Sequence, residues 1–189
     1  ACRKADYLGF VVLADSPRRL EVDRARELMS VCEARRVAVT TERRPELLEE
    51  LVRTLEPDVL QLHSPVDREL LSKMTDLGVP LWGMLPMRRG TELDLPSLTH
   101  LEALVLDSPG PRAGGNGRTH EWSLSRNVRE KVEPLPVVLA GGLEAGNARL
   151  AIETVGPFAI DISSGAEENG RKSFRKVTMI RESMRGAEE

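Results

Sequence analysis

Apolar residues fall along this chain in two kinds of block that take turns. Continuous runs rich in β-branched residues, of a length suited to strands buried on both faces, occupy 7–13, 36–41, 58–63, 80–84, 103–106, 136–140 and 158–162. Between them lie segments whose apolar positions recur every three or four residues. Val22, Ala25, Leu28, Met29 and Cys32 mark one helix over 21–35, with Cys32 as a core-side thiol. Leu47, Leu48, Leu51, Val52 and Leu55 mark a second, which Pro45 opens at a first helical position. Further helices are expected at 68–77, stopped by Gly78, and at 122–131, 147–155 and 173–185, with a short, partly helical piece at 94–100. Seven strands, nearly all followed by a helix, predict a parallel α/β sheet that is either doubly wound or closed as a barrel.

Composition narrows the class. With 189 residues, 40% of them hydrophobic and 30% charged, the chain can form one globular domain over 1–189. A formal charge of −3 offers no basic field for nucleic acid. No apolar run approaches the ~20 residues that span a bilayer, so no membrane partner is expected and the location predicted is cytoplasmic. Cys2 and Cys32 are too few for a disulfide framework, and His63, His100 and His120 show no ligand spacing, so neither metal nor cofactor is expected. RRLEVDRARE and ERRPELLEELVR, with acids three or four residues from bases, read as solvated helix faces.

The candidate chemistry gathers after three strands. The run Ala103-Leu104-Val105-Leu106 delivers Asp107 to the carboxyl end of its strand, where α/β proteins keep their reactive groups, and a Gly- and Pro-rich segment follows from Ser108 to Arg118. Asp107 in that place is either a turn cap or an acid with a function. No GxGxxG turn follows an early strand, which removes the usual dinucleotide fingerprint. Ala140-Gly141-Gly142 and Ser163-Ser164-Gly165 follow the last two strands, which is where (β/α)8 barrels hold phosphate on exposed backbone N–H groups. That favours closure as a barrel.

Taken together, ADYLGFVV with SPRRL after it, LQLH, LVLDS followed by GGNGRTHEW, LAGGLEAGNARLAI and PFAIDISSGAEENGRK resemble phosphoribosylanthranilate isomerase of tryptophan biosynthesis. The resemblance implies a (β/α)8 TIM barrel that rearranges N-(5-phosphoribosyl)anthranilate to the carboxyphenylamino deoxyribulose phosphate. It implies Asp107 as the general acid on the ribose ring oxygen, a role that needs a carboxyl protonated near neutral pH. Arg18 matches the arginine on the anthranilate carboxylate, which a planar guanidinium can grip bidentately. Gly141, Gly142, Ser164 and Gly165 match the phosphate turns, Asp161 matches an aspartate that orders the site or meets the ribose hydroxyls, and His63 matches a histidine lining it.

Three departures accompany the match. The family's first strand, which carries its catalytic cysteine, has no counterpart, so the first strand and most of the first helix are expected to be missing and Cys2 cannot replace the base. The 189-residue chain alone is therefore expected to turn over little. Gln61-Leu62-His63 is followed by Ser64 in place of glycine, and Lys172-Ser173 stands where a lysine-aspartate pair is usual. The strand at 37–41 lacks the usual phenylalanine and asparagine. A phosphorylated small molecule is the expected partner, with the protein a monomer or homodimer. Competing readings are a non-catalytic barrel that only binds phosphate and another sugar-phosphate barrel enzyme.

Overall fold

The computed structural model describes residues 5–65, 68–91, 93–108 and 119–185. Cys2, the helical turn expected at 1–4 and most of the Gly- and Pro-rich segment, 109–118, lie outside the described residues. Two compact units divide the chain, and each has its own core.

The first unit takes in residues up to Leu85 and Leu93–Leu104. It comprises β1 (Tyr7–Val11), α1 (Val22–Ser30), β2 (Arg35–Thr40), α2 (Pro45–Leu55), β3 (Val59–Pro65), α3 (Arg68–Lys73), β4 (Leu81–Pro86, all but its last residue) and α4 (Leu95–Leu98). Strands β1 to β4 are parallel and hydrogen-bond in chain order, with Gly9 opposite Val37, Val37 opposite Val59 and Leu60 opposite Leu81. Ala38, Leu60 and Leu62 are fully buried, so the continuous apolar runs are core strands as their composition requires. Helix α2 begins at Pro45, whose restricted φ suits a first turn, and ends where Glu56 turns left-handed at φ 43°. Its buried stripe is Leu48, Leu51 and Leu55.

Two expectations need correction in this unit. Helix α1 stops at Ser30, not at Arg35, because Val31 is 78% exposed and the chain must extend at once to pair Arg35 with Tyr7. Cys32 consequently sits past the helix end, half-buried, with its thiol toward the Ala34 carbonyl, and is no core position of α1. The helix expected over 68–77 divides into α3 and a 3-10 turn at Thr75–Leu77, and Gly78 ends it at φ 67° as its position predicts.

The second unit holds Pro86–Glu92 and everything from Val105 onward. Strand β5 (Ala103–Asp107) enters it, followed by α5 (Trp122–Val132), β6 (Val137–Leu139), α6 (Ala148–Val155), β7 (Ala159–Ile160), a hairpin of β8 (Glu167–Glu168) and β9 (Arg171–Lys172), and α7 (Phe174–Met184). Strands β5, β6 and β7 again hydrogen-bond in chain order. The Ala140 N–H reaches the Leu106 carbonyl and the Asp161 N–H reaches that of Leu139. Val105, Leu106, Leu139, Ala148 and Ala151 are fully buried. Strand β7 is only two residues long where 158–162 was expected, since Phe158 is 59% exposed and Asp161 lies outside the core. The hairpin was not foreseen. It turns at Asn169-Gly170, with φ of 52° and 73°, the left-handed pair that a two-residue hairpin loop demands.

Candidate active site

All five residues of β5 are buried, and the strand carries Asp107 to its carboxyl end at 8% exposure. A carboxyl group that far out of water needs donors. The Ser108 N–H donates to its Oδ1 at 2.8 Å, while the Asp107 carbonyl accepts the Met87 N–H at 2.8 Å. Both main chain and side chain of the residue are thereby held.

Beside it, β6 runs into a turn whose glycines are required by geometry. Gly141 has φ 90° and Gly142 φ 66°, a region that L side chains rarely adopt. A Cβ on Gly141 would lie 2.2 Å from the Ser108 Oγ, so this turn packs directly against the residue after Asp107. Asn147 clamps the same turn, its Oδ1 accepting the Glu144 N–H at 2.9 Å and its Nδ2 donating to the Gly142 carbonyl at 3.0 Å. The turn after β7 meets the turn after β6 just as closely. A Cβ on Gly165 would fall 2.0 Å from the Leu143 carbonyl oxygen, and only glycine allows that approach.

Gly142, Leu143, Asn147, Ser164 and Gly165, with Thr119, Glu144 and Lys176, line an open depression of ≈ 680 Å³. Among the described lining residues the cation is Lys176, from the first turn of α7, which is capped by the Ser173 hydroxyl as it accepts the Lys176 N–H at 3.4 Å. Lys172 reaches back to the Ser163 carbonyl at 2.8 Å and ties the hairpin to the second turn. Chemically, the glycine turns and the Lys176 ammonium group suit a compact anion, while the Glu144 carboxylate in the same lining opposes one. Among the described residues no group of three His, Cys, Asp or Glu could hold a metal ion.

The second unit thus brings together Gly141, Gly142, Ser164 and Gly165, with Asp107 adjoining through Ser108. Asp161, one residue past β7, is exposed, and its N–H donates to the Leu139 carbonyl of β6. Arg18 and His63 belong to the first unit. Arg18 is half-buried in the turn after β1 and donates its N–H to the Ser16 Oγ at 3.2 Å. His63 is buried on β3, its Nδ1 3.2 Å from the Gln61 Nε2. Asn147 and Lys176 escaped the sequence reading as site residues. Asn147 stood inside the LAGGLEAGN motif, five residues past the glycine whose carbonyl it holds, whereas nothing in the spacing marks Lys176.

Comparison with known proteins decides the family. The profile of N-(5'phosphoribosyl)anthranilate (PRA) isomerase matches residues 1–183. The chain belongs to the PRA isomerase family. The isomerase of Thermoanaerobacter pseudethanolicus is 32% identical over 186 residues, covering 97% of this chain and 89% of the relative. Among solved structures, the phosphoribosyl anthranilate isomerase of Thermotoga maritima superposes with a TM-score of 0.84 at 30% identity, covering 96% of this chain and 89% of its own. A PRA isomerase in complex with reduced 1-(o-carboxyphenylamino)-1-deoxyribulose 5-phosphate superposes with a TM-score of 0.80 at 28% identity, over 96% and 88%. The fold is accordingly the parallel α/β fold of these (β/α)8 isomerases. No helix among the described residues is long and apolar enough to cross a membrane.

Proposed function

We propose that this chain serves the Amadori rearrangement of N-(5'-phosphoribosyl)anthranilate in tryptophan biosynthesis, as one barrel domain over 1–189, with little turnover by these 189 residues alone. One observation carries the reading: the two glycine turns interlock at Gly165 and Leu143, and the first of them rests on Ser108, directly beside Asp107. An anion cradle and a buried carboxyl group side by side are what an isomerase of a sugar phosphate needs, one to anchor the substrate and one to move a proton. The 5'-phosphate takes the turn amides around Gly142, Ser164 and Gly165, with Lys176 offsetting its charge.

Asp107 then gives its proton to the ribose ring oxygen as the C1–O bond breaks, with the anthranilate nitrogen lone pair moving into C1. C2 next loses a proton to give the enaminol; its hydroxyl then gives up a second as the C2 carbonyl forms and C1 gains one, and the remaining proton restores Asp107. The aldose amine becomes a ketose amine with no net oxidation, so no electron-carrying cofactor takes part. Arg18 on the anthranilate carboxylate, His63 in the lining and Asp161 near the ribose hydroxyls rest on the family resemblance. The enzyme acts in the cytoplasm, as monomer or homodimer, on a phosphorylated small molecule and not on nucleic acid.

The test follows the fluorescence of N-(5'-phosphoribosyl)anthranilate as full-length protein consumes it. Steady loss of substrate with recovery of the deoxyribulose phosphate product is expected. A folded protein that binds the reduced product analogue yet leaves the substrate unchanged would instead be a phosphate-binding relative without the activity.

A further inference from the structure

Ser108 and His120 flank the segment 109–118, and their side chains meet, Ser108 Oγ lying 3.0 Å from His120 Nδ1. The other ring nitrogen, Nε2, is hydrogen-bonded to the Ser125 hydroxyl on α5. Ser125 is fully buried and Ser108 is 6% exposed, so the half-buried imidazole is pinned at both ends on buried hydroxyls. Burial pushes the His120 ring below its ordinary pKa, and the nearby Asp107 carboxyl opposes this only in part. A neutral ring has one nitrogen to donate and one to accept, and two serine hydroxyls can serve either arrangement.

Ser108 is the residue that this bridge restrains, and it has two further duties. Its N–H is the donor on Asp107 Oδ1, and its side chain is what Gly141 packs against. A shift of Ser108 would therefore turn the carboxyl group and disturb the first phosphate turn together. The surface alternative, a histidine that merely caps α5, does not fit, because Glu121 holds the N-cap position of that helix and His120 spends both nitrogens on serines.

We infer that His120 is a positioning residue of the isomerase site: anchored on Ser125, its ring holds Ser108 in place, and Ser108 in turn orients the Asp107 carboxyl group toward the substrate. The inference rests on the proposed role of Asp107.

It is tested in the full-length enzyme. His120→Phe keeps the ring's bulk and removes both hydrogen bonds, and kcat is expected to fall about tenfold, as small misplacements of a reacting group do, with KM changed less than about threefold. The conservative variants separate the two ends. His120→Asn puts an amide near the Nδ1 position and recovers most of the loss, whereas His120→Gln reaches the Nε2 position and does not. Ser125→Ala, the mildest change, lowers kcat about threefold by letting the ring swing, and supplies the answer if His120→Phe does not fold. Parental kcat in folded His120→Phe or Ser125→Ala, or equal recovery by Asn and Gln, would overturn the inference. Asp107→Asn is the control: if it keeps full turnover, the reading of the site fails as well, whereas its inactivity beside an unaffected His120→Phe sinks the inference alone.

Discussion

Polar side chains are buried or half-buried in both units, but they are used in opposite ways. In the first unit the networks around Arg36 and Glu42 are ionic. Arg36 sends its N–H and its guanidinium to Asp58 in three hydrogen bonds of 2.7, 2.9 and 3.1 Å, joining β2 to the residue before β3. Glu42 gathers the N–H groups of Arg43 and Arg44 together with the Arg44 guanidinium, just ahead of α2. These partners hold the Asp58 carboxyl below its usual range and bring that of Glu42 down from 4.5 to about 2, with the Arg44 side chain the largest cause. In the second unit, the residues around Asp107 are neutral: Ser108, His120, Ser125, Asn147 and the close-packed Gly141 and Gly165. Charge satisfied within the protein has nothing left for a ligand. Neutral donors and bare backbone keep their shape and leave the charge to be supplied by the substrate.

The sharpest break of this contrast is Asp107→Asn in the full-length enzyme. An amide cannot give up a proton at a suitable pKa, so kcat drops by about 10²–10⁴ while the phosphate still binds. Equal loss of kcat and phosphate affinity would mean that Asp107 shapes the cradle and does no proton transfer. Next in size is Gly141→Val. Its branched Cβ meets Ser108 in a backbone conformation at φ 90°, and inorganic phosphate should bind more than about tenfold more weakly.

Asn147→Ala comes third. It takes both hydrogen bonds from the first turn, each worth about 1 kcal/mol, and should weaken phosphate by about fivefold, with a melting temperature lower by several degrees. Lower stability with unaltered phosphate affinity would make Asn147 a simple helix cap.

Glu42→Gln has the smallest functional effect, and sharpens the comparison from the other side. Because the folded-state pKa lies near 2 and the unfolded one near 4.5, the carboxylate stabilises the fold above about pH 4.5, and this contribution disappears as the pH falls toward 2. The variant should therefore melt lower than the parent at pH 7 and alike near pH 2, with phosphate affinity the same in both at neutral pH. A pH-independent difference would trace the loss to packing and not to charge.

The strands and the placement of Asp107 were legible because a continuous apolar run has one reading in an alternating α/β chain. Pro45 and Gly78 likewise mark helix ends by backbone chemistry alone, and each behaves so. Two local features were overread or passed over. The apolar spacing that ran through Cys32 carried α1 too far, since periodicity does not register where the next strand must begin. Asn169-Gly170 is a hairpin signal that was there to be used. What no spacing could reveal is the contact of Ser108 with His120, twelve residues away, or the Gly165 approach to Leu143, because these depend on how the turns after β5, β6 and β7 stack.

The central claim is that the interlocked glycine turns form the anion cradle. Titrating the isotope-labelled protein with inorganic phosphate, and following the backbone amide resonances, tests it most directly. Gly142, Ser164 and Gly165 should show the largest shifts and saturate together, with Arg36, Glu42 and Arg44 unmoved. Saturating shifts centred on those arginines, with the three turn amides silent, would contradict the account.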